Sequence, residues 1–77
     1  MTRTEATTAA TATRLDGMQF PTAGGYFRPT GWGLRDATGN FFATGSDNYP
    51  YVARSRAIAE MLAAGGLTPG YRTARAA

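Results

Sequence analysis

The sequence contains no cysteine, no histidine and no lysine. Without cysteine and histidine, disulfide bonds, thiolate or imidazole metal sites, and cysteine or serine–histidine nucleophiles are excluded. Without lysine, a Schiff base and a P-loop lysine are excluded as well. We therefore expect no cofactor, no metal and no enzymatic activity. The acidic groups are five carboxylates, each with a structural use at a turn, cap or helix position: Glu5, Asp16, Asp36, Asp47 and Glu60.

Long apolar runs are also lacking. No stretch approaches the roughly 18 apolar residues that a membrane-spanning helix needs, and no apolar signal segment is visible near the start. We expect a cytoplasmic protein that does not enter a membrane. At 77 residues, the chain makes one domain that buries only about 60% of its unfolded surface, so a partner or a second copy can supply what the core lacks.

The positive charge comes entirely from eight arginines, and the net charge is +3. Use of arginine without lysine has a simple explanation in a GC-rich genome. Guanidinium groups, however, are well suited to contacts with phosphate, carboxylate and aromatic groups. The charge is therefore compatible with an acidic protein surface or with nucleic acid as a partner.

A β-hairpin is predicted over residues 31–44. Asp36 and Gly39 occupy the first and fourth positions of a type I turn, and Gly39 can take the positive φ of a bulge. Pairing outward from this turn places Leu34 opposite Phe42. Trp32 then falls opposite Thr44, and one face of the hairpin is apolar.

Two further strands are predicted before the hairpin, over residues 18–20 and 26–27, separated by turns at 21–24 and 28–31. Counting from these turns places Met18 opposite Phe27 and Phe27 opposite Trp32. The short turns favour an antiparallel meander. Residues 1–13, rich in Thr and Ala, are predicted to be disordered, with an edge strand as the alternative.

A helix is predicted from about residue 50 to residue 64. Ser46, Asp47 and Asn48 supply N-cap chemistry, apolar residues recur at spacings of three and four, and the glycines at 65–66 stop the helix. Residues 14–71 are thus expected to form a single α+β domain, a three- or four-stranded antiparallel meander with one C-terminal helix packed on one face. A frayed tail is expected over 72–77.

The sheet face away from the helix is the predicted binding surface. Tyr26, Arg28, Arg35 and Phe41 share this face on the predicted register. Such a set of aromatic and guanidinium groups can stack on bases and contact phosphates, or anchor a protein interface. The alternative is that Arg35 only covers Phe41 as a cation–π pair that keeps the face soluble.

The pattern Trp32-x-Leu34-x-Asp36-x-x-Gly39-x-Phe41-x-Ala43, followed by an Ala-rich helix, resembles a generic pattern of small phage and mobile-element proteins. The resemblance covers about half the chain and carries over no binding residues. It implies an anti-CRISPR-type inhibitor that blocks a host nucleoprotein complex. Since this chain is basic, such an inhibitor would bind an acidic protein surface. The alternatives are a single-stranded nucleic-acid-binding protein that uses the same face, and a homodimer that pairs sheets.

Overall fold

The computed structural model describes residues 7–44 and 47–77. The elements within these ranges are β1 (Ala10–Arg14), β2 (Phe20–Thr22), β3 (Gly25–Phe27), β4 (Trp32–Asp36), β5 (Phe41–Ala43), α1 (Arg56–Ala64) and β6 (Arg72–Ala74). Of these, four strands form an antiparallel sheet in the order β1-β4-β5-β6, and β2 and β3 form a separate hairpin. The predicted α+β class, with an antiparallel sheet of three or four strands and one helix late in the chain, is confirmed over the described ranges.

The β4–β5 turn has the predicted geometry. The amide of Gly39 donates to the carbonyl of Asp36 at 3.1 Å, and the amide of Asp36 donates to the carbonyl of Asn40 at 2.9 Å. Gly39 has a φ of 92°, which suits a residue without a side chain. Arg35 pairs with Phe41, so the predicted register is confirmed at the turn.

Further from the turn, the two strands separate and a third segment enters between them. Trp32 exchanges backbone hydrogen bonds with Ala53, at 2.8 and 2.6 Å, and the amide of Tyr51 donates to the carbonyl of Phe42 at 2.8 Å. The prediction that Trp32 lies opposite Thr44 is therefore wrong. These bridges to both strands hold residues 50–53 in an extended conformation, and the helix begins only after them.

Both outer strands come from segments that the sequence left without structure. β1 pairs along its whole length with β4, and β6 pairs with β5. The predictions of disorder up to residue 13 and of a frayed tail from residue 72 are wrong at these strands, and the edge-strand alternative describes β1. Residues 1–6 lie outside the described residues. Neither strand buries a large side chain, so its order comes from backbone pairing with a distant strand.

The β2–β3 hairpin differs from the prediction in register and in position. Phe27 pairs with Phe20 rather than with Met18, and it does not pair with Trp32. Both sides of Trp32 are already occupied, by Arg14 of β1 and by Ala53. The hairpin therefore folds over the sheet as a second layer instead of extending it.

Helix α1 begins later than predicted. Ser55 is its N-cap, and its hydroxyl oxygen accepts from the amide of Ile58 at 3.2 Å. Asp47 and Asn48 instead have positive φ angles of 64° and 61°, so they form a turn well before the helix. The helix ends at Ala64, where the glycine stop was predicted.

Two small cores lie on opposite faces of the sheet. Helix α1 packs against β1 and β4, and the buried residues on that side are Leu34, Ala53, Ala59 and Leu67. The β2–β3 hairpin contributes to the core on the other face, where the buried residues are Leu15, Phe20, Phe41, Ala43 and Ala74. Because the helix lies toward β1 and the second core lies toward β6, each face of the sheet is covered over a different half.

Candidate functional site

Phe41 is in the core and not on an open face. Its side chain is 3% exposed. Its ring packs edge-on against Phe20, with 5.5 Å between the ring centroids. The expectation that Phe41 contributes to an exposed binding surface is therefore wrong. The cause is the β2–β3 hairpin, which covers the part of the sheet that a single helix was expected to leave open.

Arg35 is exposed, as predicted, on the half of that face that remains uncovered. It pairs with Thr11 of β1 and with Phe41 of β5. Its side chain lines a cleft of about 300 Å³ together with Thr11, Thr13 and Gly39. A guanidinium group among hydroxyl groups is chemically suited to bind a carboxylate or phosphate.

Tyr26 and Arg28 lie together on the outer side of the β2–β3 hairpin. Tyr26 is 61% exposed. It lines a cleft of about 380 Å³, and Arg28 lines a neighbouring cleft of about 470 Å³. The segment 17–19 lines both clefts. The structure therefore brings Tyr26 and Arg28 to one surface, while Arg35 lies in a different cleft on the sheet.

An apolar groove beside helix α1 was missed by the sequence reasoning. It encloses about 300 Å³, and its apolar lining includes Leu34, Phe42, Tyr51 and Leu62. The alternation in the hairpin and the apolar spacing in the helix predicted that Phe42 and Leu62 lie in the interface between sheet and helix. The helix is short and lies over β1 and β4, so these side chains line a groove, and Leu62 is 41% exposed.

Two guanidinium groups flank the indole ring of Trp32. The guanidinium carbon of Arg56 is 5.6 Å from the ring centroid, and that of Arg14 is 6.0 Å away. Arg56 also forms an ion pair with Glu60 at 3.3 Å, four residues along the helix. A spacing of four residues on a helix favours the Arg56–Glu60 pair, whereas no local pattern predicts the cation–π cluster, because Arg14 is far from Trp32 and Arg56 in the chain.

Asp36 is the centre of a buried hydrogen-bond network. Its Oδ1 atom accepts from the amide of Thr38 at 3.0 Å, the hydroxyl of Thr38 at 2.6 Å and the amide of Asn40 at 3.0 Å. Its Oδ2 atom accepts from the hydroxyl of Tyr71 at 2.7 Å. Burial opposes ionisation of Asp36, but these hydrogen bonds together lower its pKa below the ordinary value.

The partner of this carboxylate is affected in the opposite direction. The hydrogen bond to Asp36, with burial and the negative charge, raises the pKa of Tyr71. Asp36 is thereby held as a carboxylate and Tyr71 as a neutral phenol, which are the forms that make this hydrogen bond. Asp36 and Tyr71 thus form a structural contact between the β4–β5 turn and the segment that leads into β6.

Clusters of potential metal ligands and long apolar helices are absent from residues 7–44 and 47–77. In these ranges, no group of three or more potential acidic, histidine or cysteine ligands is placed to hold a metal ion. No helix there has the length and apolar character needed to cross a membrane. Comparisons with protein-family models, curated proteins and solved structures gave no match to this chain.

Proposed function

We propose that this protein is a non-catalytic module that binds an acidic surface of a partner protein. The observation that carries the proposal is a difference between the charged groups of the described residues: the carboxylates are engaged within the protein, and several arginines are not. Asp36 and Asp47 accept internal hydrogen bonds, and Asp16 and Glu60 form ion pairs with arginines. In the described part of the chain, the following exposed arginines form no ion pair: Arg28, Arg35, Arg54, Arg72 and Arg75.

Within the described residues, a partner therefore meets side-chain carboxylates that are already engaged and five arginines that form no ion pair. The predicted contact residues that remain exposed are Tyr26, Arg28 and Arg35. Arginine and tyrosine are enriched at the energetic centres of protein interfaces. The apolar groove beside Phe42 and Leu62 can accept an apolar side chain of the same partner. Such a mixture of charged and apolar features suits a protein surface.

Single-stranded nucleic acid is the second candidate, favoured by the exposed ring of Tyr26 next to Arg28. A strand of nucleic acid needs a basic groove with successive aromatic platforms. Here Phe41 is buried and Arg35 lies in a separate cleft. The protein partner is therefore preferred. Blocking a host nucleoprotein complex, as the resemblance to small phage proteins suggests, is one form that this binding can take.

The test is affinity capture from a lysate of the source cell, with nuclease present, comparing wild type with R35E. The matched control is R54E, which makes the same charge change at an exposed arginine outside the predicted contacts. We expect wild type and R54E to recover the same protein and R35E to lose it. The affinity for the captured partner is then measured at increasing salt concentration. Contacts anchored by apolar groups weaken less with salt than contacts to phosphate.

Two results would contradict the proposal. Capture that collapses when nucleic acid is digested would favour the nucleic-acid alternative. Equal capture by R35E and wild type would remove Arg35 from the binding surface. Circular dichroism of R35E checks that its fold is retained, which we expect because the side chain is exposed.

A further inference from the structure

The backbone groups of β1 face alternately toward the sheet and away from it. The amide of Leu15 donates to the carbonyl of Gly31 at 2.8 Å, which continues the β1–β4 ladder. The amide of Thr8 donates at 2.8 Å to the carbonyl of Leu67, on the opposite side of the strand. Successive residues of a strand alternate in this direction. The even-numbered residues of β1 therefore direct their backbone groups outward.

The outward groups of β1 form an open sheet edge. They are the N–H and C=O groups of Ala10, Ala12 and Arg14. Within residues 7–44 and 47–77, the backbone bonds place no partner on this side of the three residues. Unpaired groups in a row are the template on which an additional strand can form.

Leu67 closes this edge at Thr8, but three features that protect sheet edges are missing from β1 itself. β1 pairs with β4 in five consecutive register positions without a bulge, and it contains no proline or lysine. Its two threonines are β-branched, which suits a strand, and the small side chains of Ala10 and Ala12 place no bulk beside the edge.

The opposite edge of the sheet, formed by β6, offers fewer unpaired backbone groups. β6 has three residues, and because the carbonyl of Phe42 accepts from Tyr51, the Phe42–Thr73 pair is not hydrogen bonded. Of β6, only Thr73 therefore directs its backbone groups outward. Beyond it, the backbone of Arg75 is already bonded to the side chain of Asn48. β1 is thus the edge of this sheet that can accept a strand over several residues.

Charge indicates what kind of strand fits. Arg14 stands at one end of the edge, where its side chain, 69% exposed, pairs with Asp16 at 3.7 Å. On the other face of the sheet, Arg35 forms no ion pair among the described residues and lies beside Thr11 and Thr13 in the polar cleft. This guanidinium group complements a strand that carries carboxylates. A second copy of the chain would bring another net charge of +3 and a second Arg14 to the same edge, so like charges disfavour it.

We propose that the outer edge of β1 binds an extended acidic segment of the partner protein as an added strand. The inference rests on the proposed function and specifies its mode of binding. Backbone bonds to Ala10, Ala12 and Arg14 supply affinity, while Arg35 selects an acidic sequence.

The probe is an acetylated and amidated eight-residue peptide of alternating valine and threonine with a glutamate at each end. Binding is followed by ¹⁵N amide spectra and by hydrogen exchange. We expect the amides of Ala12 and Arg14 to shift and to become protected. The same peptide N-methylated at alternate residues should not bind, because it cannot complete the ladder. Replacing its glutamates with lysines should weaken binding at least about tenfold, or about 1.4 kcal/mol.

The protein variant is A12P. Proline at an outward position of an edge strand removes no bond of the existing sheet, so the fold should be retained. T73P is the matched control, since it places proline at the outward position of β6. We expect A12P to lose at least about tenfold in affinity, about 1.4 kcal/mol, and T73P to bind as wild type. Tryptophan fluorescence and circular dichroism check folding, and the N-methylated peptide keeps the test decisive if A12P unfolds.

Several outcomes overturn the inference. These are failure of the peptide to bind wild type, equal binding of the N-methylated peptide, and equal binding by folded A12P. A dimer detected by light scattering and abolished by A12P would assign the edge to a second copy instead. The capture experiment with R35E does not depend on this peptide. A failed peptide test with a positive capture test therefore rejects the added strand and leaves the protein-binding function standing.

Discussion

At the scale of single residues, Asp36 shows how a turn residue becomes part of the tertiary structure. The sequence identified it as the first residue of a type I turn, and the turn is present. The side chain is only 7% exposed and also binds the hydroxyl of Tyr71, thirty-five positions along the chain. No turn rule predicts that contact, because Tyr71 reaches Asp36 only after the chain has passed through helix α1.

The stability of the protein should depend on the ionised form of Asp36. Its pKa is lowered from 3.8 in the folded protein. The contribution is therefore fully present above about pH 4 and is lost as the pH falls through the folded value. D36N should lower the free energy of unfolding at pH 7 by about 1 to 3 kcal/mol, since hydrogen bonds to a charged acceptor are lost. Its stability should also fall less steeply than that of wild type below pH 4.

The measurement is urea unfolding followed by tryptophan fluorescence from pH 2 to pH 7. D47N is the control, because it removes the same charge from an exposed carboxylate whose oxygens accept from the amide of Ala23. Equal acid sensitivity of D36N and wild type would show that other groups govern the loss of stability.

At the scale of elements, hydrogen bonds from the turn at 47–48 connect the β2–β3 hairpin to the chain after β6. The Nδ2 group of Asn48 donates to the carbonyls of Pro21, at 2.8 Å, and Arg75, at 2.9 Å. Its Oδ1 atom accepts from the amide of Arg75 at 2.7 Å. The Asn48 side chain therefore makes with the backbone of Arg75 the two hydrogen bonds that a neighbouring strand would make. Together with the bond to Pro21, they join two elements that share no strand pairing.

Removing the Asn48 side chain should loosen this junction. N48G keeps the positive φ of 61° without strain and deletes three hydrogen bonds, so we expect a loss of about 2 kcal/mol in unfolding free energy. N48A should cost about 1 kcal/mol more, because a Cβ atom disfavours the left-handed conformation. Urea unfolding gives the energies, and hydrogen exchange at the Arg75 amide reports the local opening. Wild-type exchange at Arg75 in N48G would contradict the role assigned to the side chain.

At the scale of the whole molecule, one sheet supports two cores that are offset from each other. Phe41 and Phe42 are neighbours in β5, yet they face opposite sides of the sheet. Phe41 is buried next to Phe20, whereas Phe42 is half-buried in the groove beside helix α1. Because both cores take residues from β5 and from the segment 51–53, loss of either should destabilise the entire chain.

F41A should lower the unfolding free energy by about 3 to 5 kcal/mol, the cost of a cavity in a core. For a chain of 77 residues with a total stability of roughly 4 to 12 kcal/mol, this is a large fraction. F42A is the matched control and should cost less, because Phe42 retains contact with solvent.

Two probes test whether the cores unfold together in F41A and in wild type. Fluorescence of Trp32 reports the helix side, and the methyl resonances of Leu15 report the hairpin side. Coincident midpoints are expected for a single transition. Separate midpoints, or a larger loss in F42A than in F41A, would show that the cores are independent.

Local sequence patterns were sufficient to predict the features that depend on neighbours along the chain. The Asp36–Gly39 turn, the pairing of Arg35 with Phe41 and the end of helix α1 follow from local backbone preferences and the period-two alternation of strands. The lack of cysteine, histidine and lysine excluded whole classes of chemistry. The exposure of Tyr26, Arg28 and Arg35 was also predicted, since a charged or amphipathic side chain on an outer face stays in water.

Other features depend on packing between segments that are distant in the chain. Alternation indicated that Arg35 and Phe41 share a face, but it cannot indicate that the β2–β3 hairpin covers one and leaves the other open. β1 and β6 have weak local signals, and their order comes from pairing with β4 and β5. The groove beside helix α1 and the open edge of β1 exist for the same reason, because they are the regions that the packed elements leave uncovered. Strand pairing and layer coverage join residues far apart in sequence, where local preferences carry little information.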